Sequence, residues 1–146
     1  MHREVIWYYL LSMHEAATSI VAVVDDDPIY QFTATKSLQL TKATGEILSF
    51  SSAELALAYL RQHQNNAAKL PDFLFLDINM PVMDGWMFLD DFEALTSQLA
   101  KPVKIFMVSS SIDPKDIARA DAHPCVAQYL TKPISLKQLS ELIAAG

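Results

Sequence analysis

The sequence predicts an α/β fold built on a parallel sheet, and three observations carry that prediction. Short apolar runs alternate with stretches of helical periodicity, which is the pattern of βαβ units, and five such repeats are visible. The central run, Phe73-Leu74-Phe75-Leu76, is apolar throughout, as suits a strand buried on both faces; a half-exposed strand would alternate. The runs also end on chemically capable residues. Ile20 to Val24 ends on Asp25-Asp26-Asp27-Pro28, the central run on Asp77, and two later runs on Ser109 and just before Lys132. In an open parallel sheet, ligands bind in the crevice outside the carboxyl ends of the strands, so these acids, hydroxyl and amine are expected to converge there.

Each element has a local reason. Pro28 suits a first helical position, and the first helix is expected to run to about Thr41, before Thr44-Gly45 breaks it. A second strand spans Glu46 to Phe50. Ser51 and Glu54 have capping-box spacing for a second helix ending near His63, and the polar stretch Gln64 to Pro71 returns the chain to the central strand. Gly85 allows a turn, and Trp86 to about Leu99 reads as the third helix. Lys104 to Val108 forms the fourth strand. Asp113-Pro114 starts a fourth helix, Ala127 to Thr131 is the fifth strand, and Ser135-Leu136-Lys137-Gln138 is a second capping box that opens the last helix.

Composition limits the function. Eleven basic against seventeen acidic side chains give a formal charge of −6, with no basic stripe, which argues against a nucleic-acid partner. The one cysteine, Cys125, excludes an internal disulfide, and no Cys or His spacing points to zinc; a reducing cytoplasm is the expected compartment. No apolar stretch reaches the ~18 residues of a membrane span. Three glycines are too few for the glycine-rich phosphate loops.

In order along the chain stand a strand with Asp25-Asp26, a strand with Asp77 followed by Met80-Pro81-x-Met83-Asp84-Gly85, a strand with Ser109, and Tyr129-x-x-Lys132-Pro133. This series resembles the receiver domain of bacterial two-component response regulators, over about residues 19 to 146. Each motif alone is weak, but all occur in the right order at strand ends. The resemblance implies a flavodoxin-like, doubly wound sheet of five strands in the order 2-1-3-4-5 with five helices on two faces. It also implies phosphorylation of one aspartate.

The residues themselves support that chemistry. Three carboxylates in a small space repel one another unless a cation offsets their charge, so a divalent metal is expected, Mg2+ or Mn2+. Asp26 and Asp77 would ligate it directly and Asp25 through water; by family analogy the backbone carbonyl of Asn79 adds a further ligand. Asp77 would be the nucleophile, giving an aspartyl-phosphate, with Lys132 neutralising the phosphoryl oxygens and the Ser109 hydroxyl donating to one of them. The donor implied by the resemblance is a phosphohistidine on a histidine kinase or histidine phosphotransfer protein. The resemblance also gives Ser109 and Tyr129 a switch role, in which Ser109 moves toward the phosphate, the aromatic side chain turns inward into the space left, and the altered surface serves a downstream protein target.

Blander readings stand beside these. The Asp25 to Asp27 cluster could simply cap the first helix, and for Asp27 that reading is preferred. Asp77-x-Asn79 is also a turn signal. Tyr129 serves equally well as core, while Ser109 beside Ser110 and Ser111 could be loop composition, and Lys132-Pro133 an ordinary loop pair. The stretch Ala122 to Ala127 departs from the family's usual turn and alters a surface that commonly binds partners. The reading adopted is a stand-alone receiver that relays phosphate or signals by protein binding. The alternatives are a degenerate receiver serving as a scaffold and a haloacid-type phosphatase, which expects a second acid where Asn79 stands. Residues 1 to 18 are an extension with two readings: it is incidental, with translation starting at Met13, or Ile6, Leu10, Met13 and Ala17 form a helical stripe expected to dock on the domain or across a homodimer.

Overall fold

The computed structural model describes residues 18–146. Five strands alternate with five helices: β1 (Ser19–Val24), α1 (Pro28–Gln39), β2 (Thr44–Phe50), α2 (Ala53–Gln62), β3 (Phe73–Asp77), α3 (Gly85–Leu95), β4 (Lys104–Ser109), α4 (Pro114–Ala122), β5 (Val126–Thr131) and α5 (Leu136–Ala145). All strand pairs are parallel, and the sheet order is β2-β1-β3-β4-β5. This is the flavodoxin-like order that the resemblance implied. The helical stripe expected in the N-terminal extension falls on residues 1 to 17, outside the described residues.

The continuous apolar character of the central strands follows from packing on both faces. Alternate residues point to opposite sides of a strand. Ala22, Val24, Leu74, Leu76, Ile105 and Met107 therefore pack with Leu57 and Leu60 of α2, Phe88 and Phe92 of α3, and Ala120 of α4. Val21, Val23, Phe73, Phe75, Phe106 and Val108 meet Leu38 of α1 and Leu139 and Ile143 of α5 on the other side. Every residue of β3 is buried. Since β1 pairs with β2 on one side and β3 on the other, the chain reverses direction across the sheet there, and the crevice of the fold opens at the tips of β1 and β3.

Several boundaries differ from expectation for local reasons. The first helix ends at Gln39, and Gly45 lies inside β2 instead of breaking it. Ser19 pairs with Thr44 and Val21 with Ile47, so β2 carries one extra residue at this point; glycine in a strand often marks such a bulge. Ser52, not Ser51, caps α2, its hydroxyl accepting from the Leu55 N–H at 3.2 Å. The third helix ends at Leu95 and tightens into a 3-10 turn over Thr96–Gln98. Gly85 is the first residue of α3, where Asp84 is the cap. A Cβ there would lie 2.7 Å from the Asp77 carbonyl oxygen, so it is close approach to the end of β3, not turn conformation, that requires glycine.

One residue in the loop after β3 is strained. Val82 has φ 69°, a left-handed backbone that is unfavourable for a β-branched residue, and its side chain is 89% exposed. No packing compensates. Val82→Asn is expected to stabilise the fold by about 1 kcal/mol, because asparagine tolerates this conformation. A urea midpoint that stayed level or fell would show that the loop gains nothing from relief at this position.

Candidate functional site

The site forms where β1 and β3 end side by side. Val24 pairs with Leu76, so one further step along both strands places Asp25 beside Asp77. Asp25 is 1% exposed and Asp77 7%, whereas Asp26 faces solvent. Carboxylate oxygens of Asp25, Asp26 and Asp77 lie within 4.8 Å of one another. Lys132, directly after β5, reaches into this group: its Nζ donates to Asp25 Oδ2 at 2.7 Å and to Asp77 Oδ1 at 3.4 Å. Its backbone is held by a bond from its N–H to the Ser109 carbonyl at 2.9 Å.

The start of α1 is fixed around the same point. Asp25 Oδ1 accepts from the Asp27 N–H at 2.8 Å, and Asp27 caps the helix by accepting from the Ile29 N–H at 2.9 Å, the capping role preferred for it. Gln31 Nε2 donates to the carbonyls of Val23, Asp25 and Phe50, which ties the first turn of α1 to the ends of β1 and β2. Beyond β3, the Gly85 N–H donates to the Ile78 carbonyl at 2.8 Å and closes the loop that carries Asn79. Asn79 itself is exposed.

The electrostatics follow from this crowding. Burial, the negative charge of Asp25 and, more weakly, that of Asp26 raise the Asp77 carboxyl from 3.8 to about 6, while Lys132 pulls in the opposite direction. Burial pushes the Lys132 amine down, but its bond to Asp25 and the charges of Asp77 and Asp25 outweigh that and hold it above its ordinary value. Burial likewise raises the Tyr30 phenol. Three carboxylates facing a single ammonium leave an excess of negative charge on hard oxygen donors, a set that fits Mg2+ or Mn2+ and gives no reason for a softer metal.

Ser109 and Tyr129, given a joint switch role by the resemblance, are joined through a third residue. The buried Ser109 hydroxyl accepts from the Ser111 N–H at 3.1 Å, and the Tyr129 hydroxyl donates to the Ser111 carbonyl at 2.7 Å. Ser111, which by sequence could be simple loop composition, is thus the link between them. Sequence reasoning also missed Tyr30, whose ring centroid lies 4.0 Å from the Lys132 Nζ, and the clamp made by Gln31. The sequence carried no signal for Tyr30, because Asp25 and Asp26 precede the helix and no helical spacing links them to it.

Among the described residues no helix is long and apolar enough to cross a membrane. A probable methanogenesis regulatory protein of Methanothrix harundinacea, FilR2, is 29% identical over 124 residues, covering 85% of this chain and 78% of that protein. The chain spans less than half the length of further curated relatives that it matches. Among solved structures, a two-component response regulator from Cytophaga hutchinsonii is 32% identical with a TM-score of 0.78, covering 86% of this chain and 94% of the other. The phosphorylated cyanobacterial phytochrome response regulator RcpA is 27% identical with a TM-score of 0.70, covering 88% and 91%. The profile described as "Response regulator receiver domain" matches residues 21–144, and with the strand order and the clustered acids already in place, this chain belongs to the response regulator receiver domain family.

Proposed function

We propose that residues 19 to 146 form a phospho-receiver in which Asp77 accepts a phosphoryl group from a phosphohistidine of a histidine kinase or histidine phosphotransfer protein. The observation that carries this reading is the placement of Asp77: it closes a fully buried strand, beside Asp25 and within 3.4 Å of the Lys132 amine. Its carboxyl, raised only to about 6, is ionised at neutral pH and serves as a nucleophile. A carboxylate oxygen forms the bond to phosphorus as the phosphorus–nitrogen bond breaks and the imidazole leaves with that electron pair. Asp26 and Asp77 would hold the metal directly, with Asp25 acting through water and the Asn79 carbonyl completing the protein's share. A bound Mg2+ or Mn2+ supplies positive charge to the transferring phosphoryl oxygens. Lys132 supplies the protein's own charge there, and Ser109 a hydroxyl donor. The phosphorylated state of the similar RcpA structure supports the reading.

In this reading the domain catalyses only its own phosphorylation and dephosphorylation, works in the cytoplasm, and passes the signal to a downstream protein through the surface around Tyr129. Residues 1 to 18 form an extension outside the receiver unit. The test of the core reading is intact mass after incubation with a small phosphodonor and Mg2+: one added phosphoryl group is expected, and no gain in mass would overturn it. The switch rests on Ser109 releasing its bond from Ser111 to reach the phosphoryl group, which frees the Ser111 carbonyl and Tyr129 to rearrange. Ser109→Ala is therefore expected to accept phosphate but to lose the change in Tyr129 environment on phosphorylation, read by the NMR signals of its ring. A wild-type change in that variant would exclude the link.

A further inference from the structure

We propose that Tyr30 is a positioning residue for Lys132, its ring face holding the ammonium over Asp25 and Asp77 during phosphoryl uptake; this inference rests on Asp77 being the acceptor. Three groups surround the Lys132 Nζ: Asp25 Oδ2 at 2.7 Å, Asp77 Oδ1 at 3.4 Å and the centroid of the Tyr30 ring at 4.0 Å. The last distance is well inside the ~6 Å over which a cation is attracted to an aromatic face.

The three partners differ in what else they must do. Asp77 turns an oxygen to phosphorus, and Asp25 belongs to the acidic group expected to hold the metal. Both carboxylates are drawn into other bonds when the reaction begins. The ring is not. A lysine side chain has four flexible carbons, and if only the carboxylates steered it, the shorter contact would draw the ammonium toward Asp25 and away from Asp77. The ring supplies a third point of attachment that persists.

Tyr30 is built to hold still. It lies in the first turn of α1, between Asp27, which caps the helix, and Gln31, which clamps it to the carbonyls of Val23, Asp25 and Phe50. Tyr30 also lines an apolar cavity of about 260 Å³ between α1 and α5, with Phe75, Ala34, Pro133 and Ile134. The Lys132 side chain is 19% exposed, so the ammonium it presents to the ring is largely withdrawn from water, which strengthens such a contact relative to one on an open surface.

The experiment compares initial rates of phosphoryl uptake from a small phosphodonor in Mg2+. Wild type must first take up phosphate; a wild type that does not would sink the acceptor reading itself, an outcome distinct from any difference among the Tyr30 variants. Tyr30→Phe keeps the ring face and is expected to retain the wild-type rate. Tyr30→Leu is expected to be slower by roughly fivefold, the equivalent of about 1 kcal/mol, at an unchanged half-saturating Mg2+ concentration. Trifluorinated phenylalanine in place of Tyr30 preserves shape while withdrawing charge from the ring, and it is expected to fall as leucine does. That arm keeps the test decisive if Tyr30→Leu fails to fold. An independent readout is the Lys132 ε-methylene proton signal, displaced by the ring in wild type and Tyr30→Phe and returned to its ordinary position in Tyr30→Leu. Uptake at the Tyr30→Phe rate in the fluorinated protein, or an undisplaced methylene signal in wild type, would overturn the proposal.

Discussion

Asp77→Asn is expected to take up no phosphoryl group from any donor, and at the same time to make the metal-free protein more stable at neutral pH. The first effect follows because an amide oxygen is too weak a nucleophile to replace the carboxylate. The second follows from proton linkage. The Asp77 carboxyl titrates near 6 in the folded protein against 3.8 ordinarily, so between those values the fold holds a proton that the unfolded chain has released. The stability tied to that proton is fully present below about pH 4 and is lost as pH rises through about 6. At pH 7 to 8 the ionised carboxylate therefore costs the fold on the order of 2–3 kcal/mol, and asparagine removes that cost. Urea unfolding in chelator should show the variant more stable at pH 7.5 and the difference shrinking toward zero at pH 4. A variant that still gained phosphoryl mass would end the assignment of Asp77 as acceptor. A stability difference independent of pH would show that burial beside Asp25 does not raise this carboxyl in the folded protein.

Lys132→Ala is expected to act in the opposite direction. It leaves Asp25, 1% exposed, and Asp77 beside it with no cation, and removing one partner of a buried ion pair is far more damaging than never having built it. A loss of about 3 kcal/mol is expected at pH 7.5 without metal, less than the full range for such pairs because the lysine side chain is 19% exposed. The loss should shrink in acid as the Asp77 carboxyl, raised to about 6, takes up its proton. Added Mg2+ should restore more stability to this variant than to wild type, since the cluster it enters carries one more uncompensated negative charge. Phosphoryl uptake should fall as well. If unfolding in chelator were unchanged, the lysine would have to be a solvated bystander and its contacts with Asp25 and Asp77 energetically empty.

The parts of the fold legible in the sequence were those that a single strand or helix end decides. β1, β3 and β4 are continuously apolar because helices cover both faces of the sheet, and Asp25, Asp77 and Ser109 are exceptions at the point where such a run stops. Pro28 and Pro114 marked helix starts for the same local reason. What escaped was decided by neighbouring chain. Ser51 and Ser52 are chemically identical, and only the path of the backbone selects the second as cap. Gly45 resembles a breaker until the register between β1 and β2 shows an extra residue to absorb. Val82 carries no signal of its left-handed backbone, because nothing in a valine predicts it. Tyr30 meets Lys132 across 102 residues of sequence (132 − 30), a proximity that exists only after α1 and β5 have been placed by the sheet.

The division of the core by the sheet has a consequence for how such a protein changes over generations. Side chains on the α1–α5 side form one packing, those on the α2–α3–α4 side another, and strand backbone stands between them. Groups that do not touch change stability additively, so a substitution that enlarges or shrinks one compartment leaves the other close to its previous fit. The lineage can therefore reshape the helices on one side to suit a new partner while the opposite side continues to supply the stability that tolerates the experiment. The reactive residues sit on the rim where the two compartments meet, with Tyr30 arriving from one and Gly85 pressed against Asp77 from the other. Inheritance of the chemistry and divergence of the partnership are thus assigned to different parts of one small molecule.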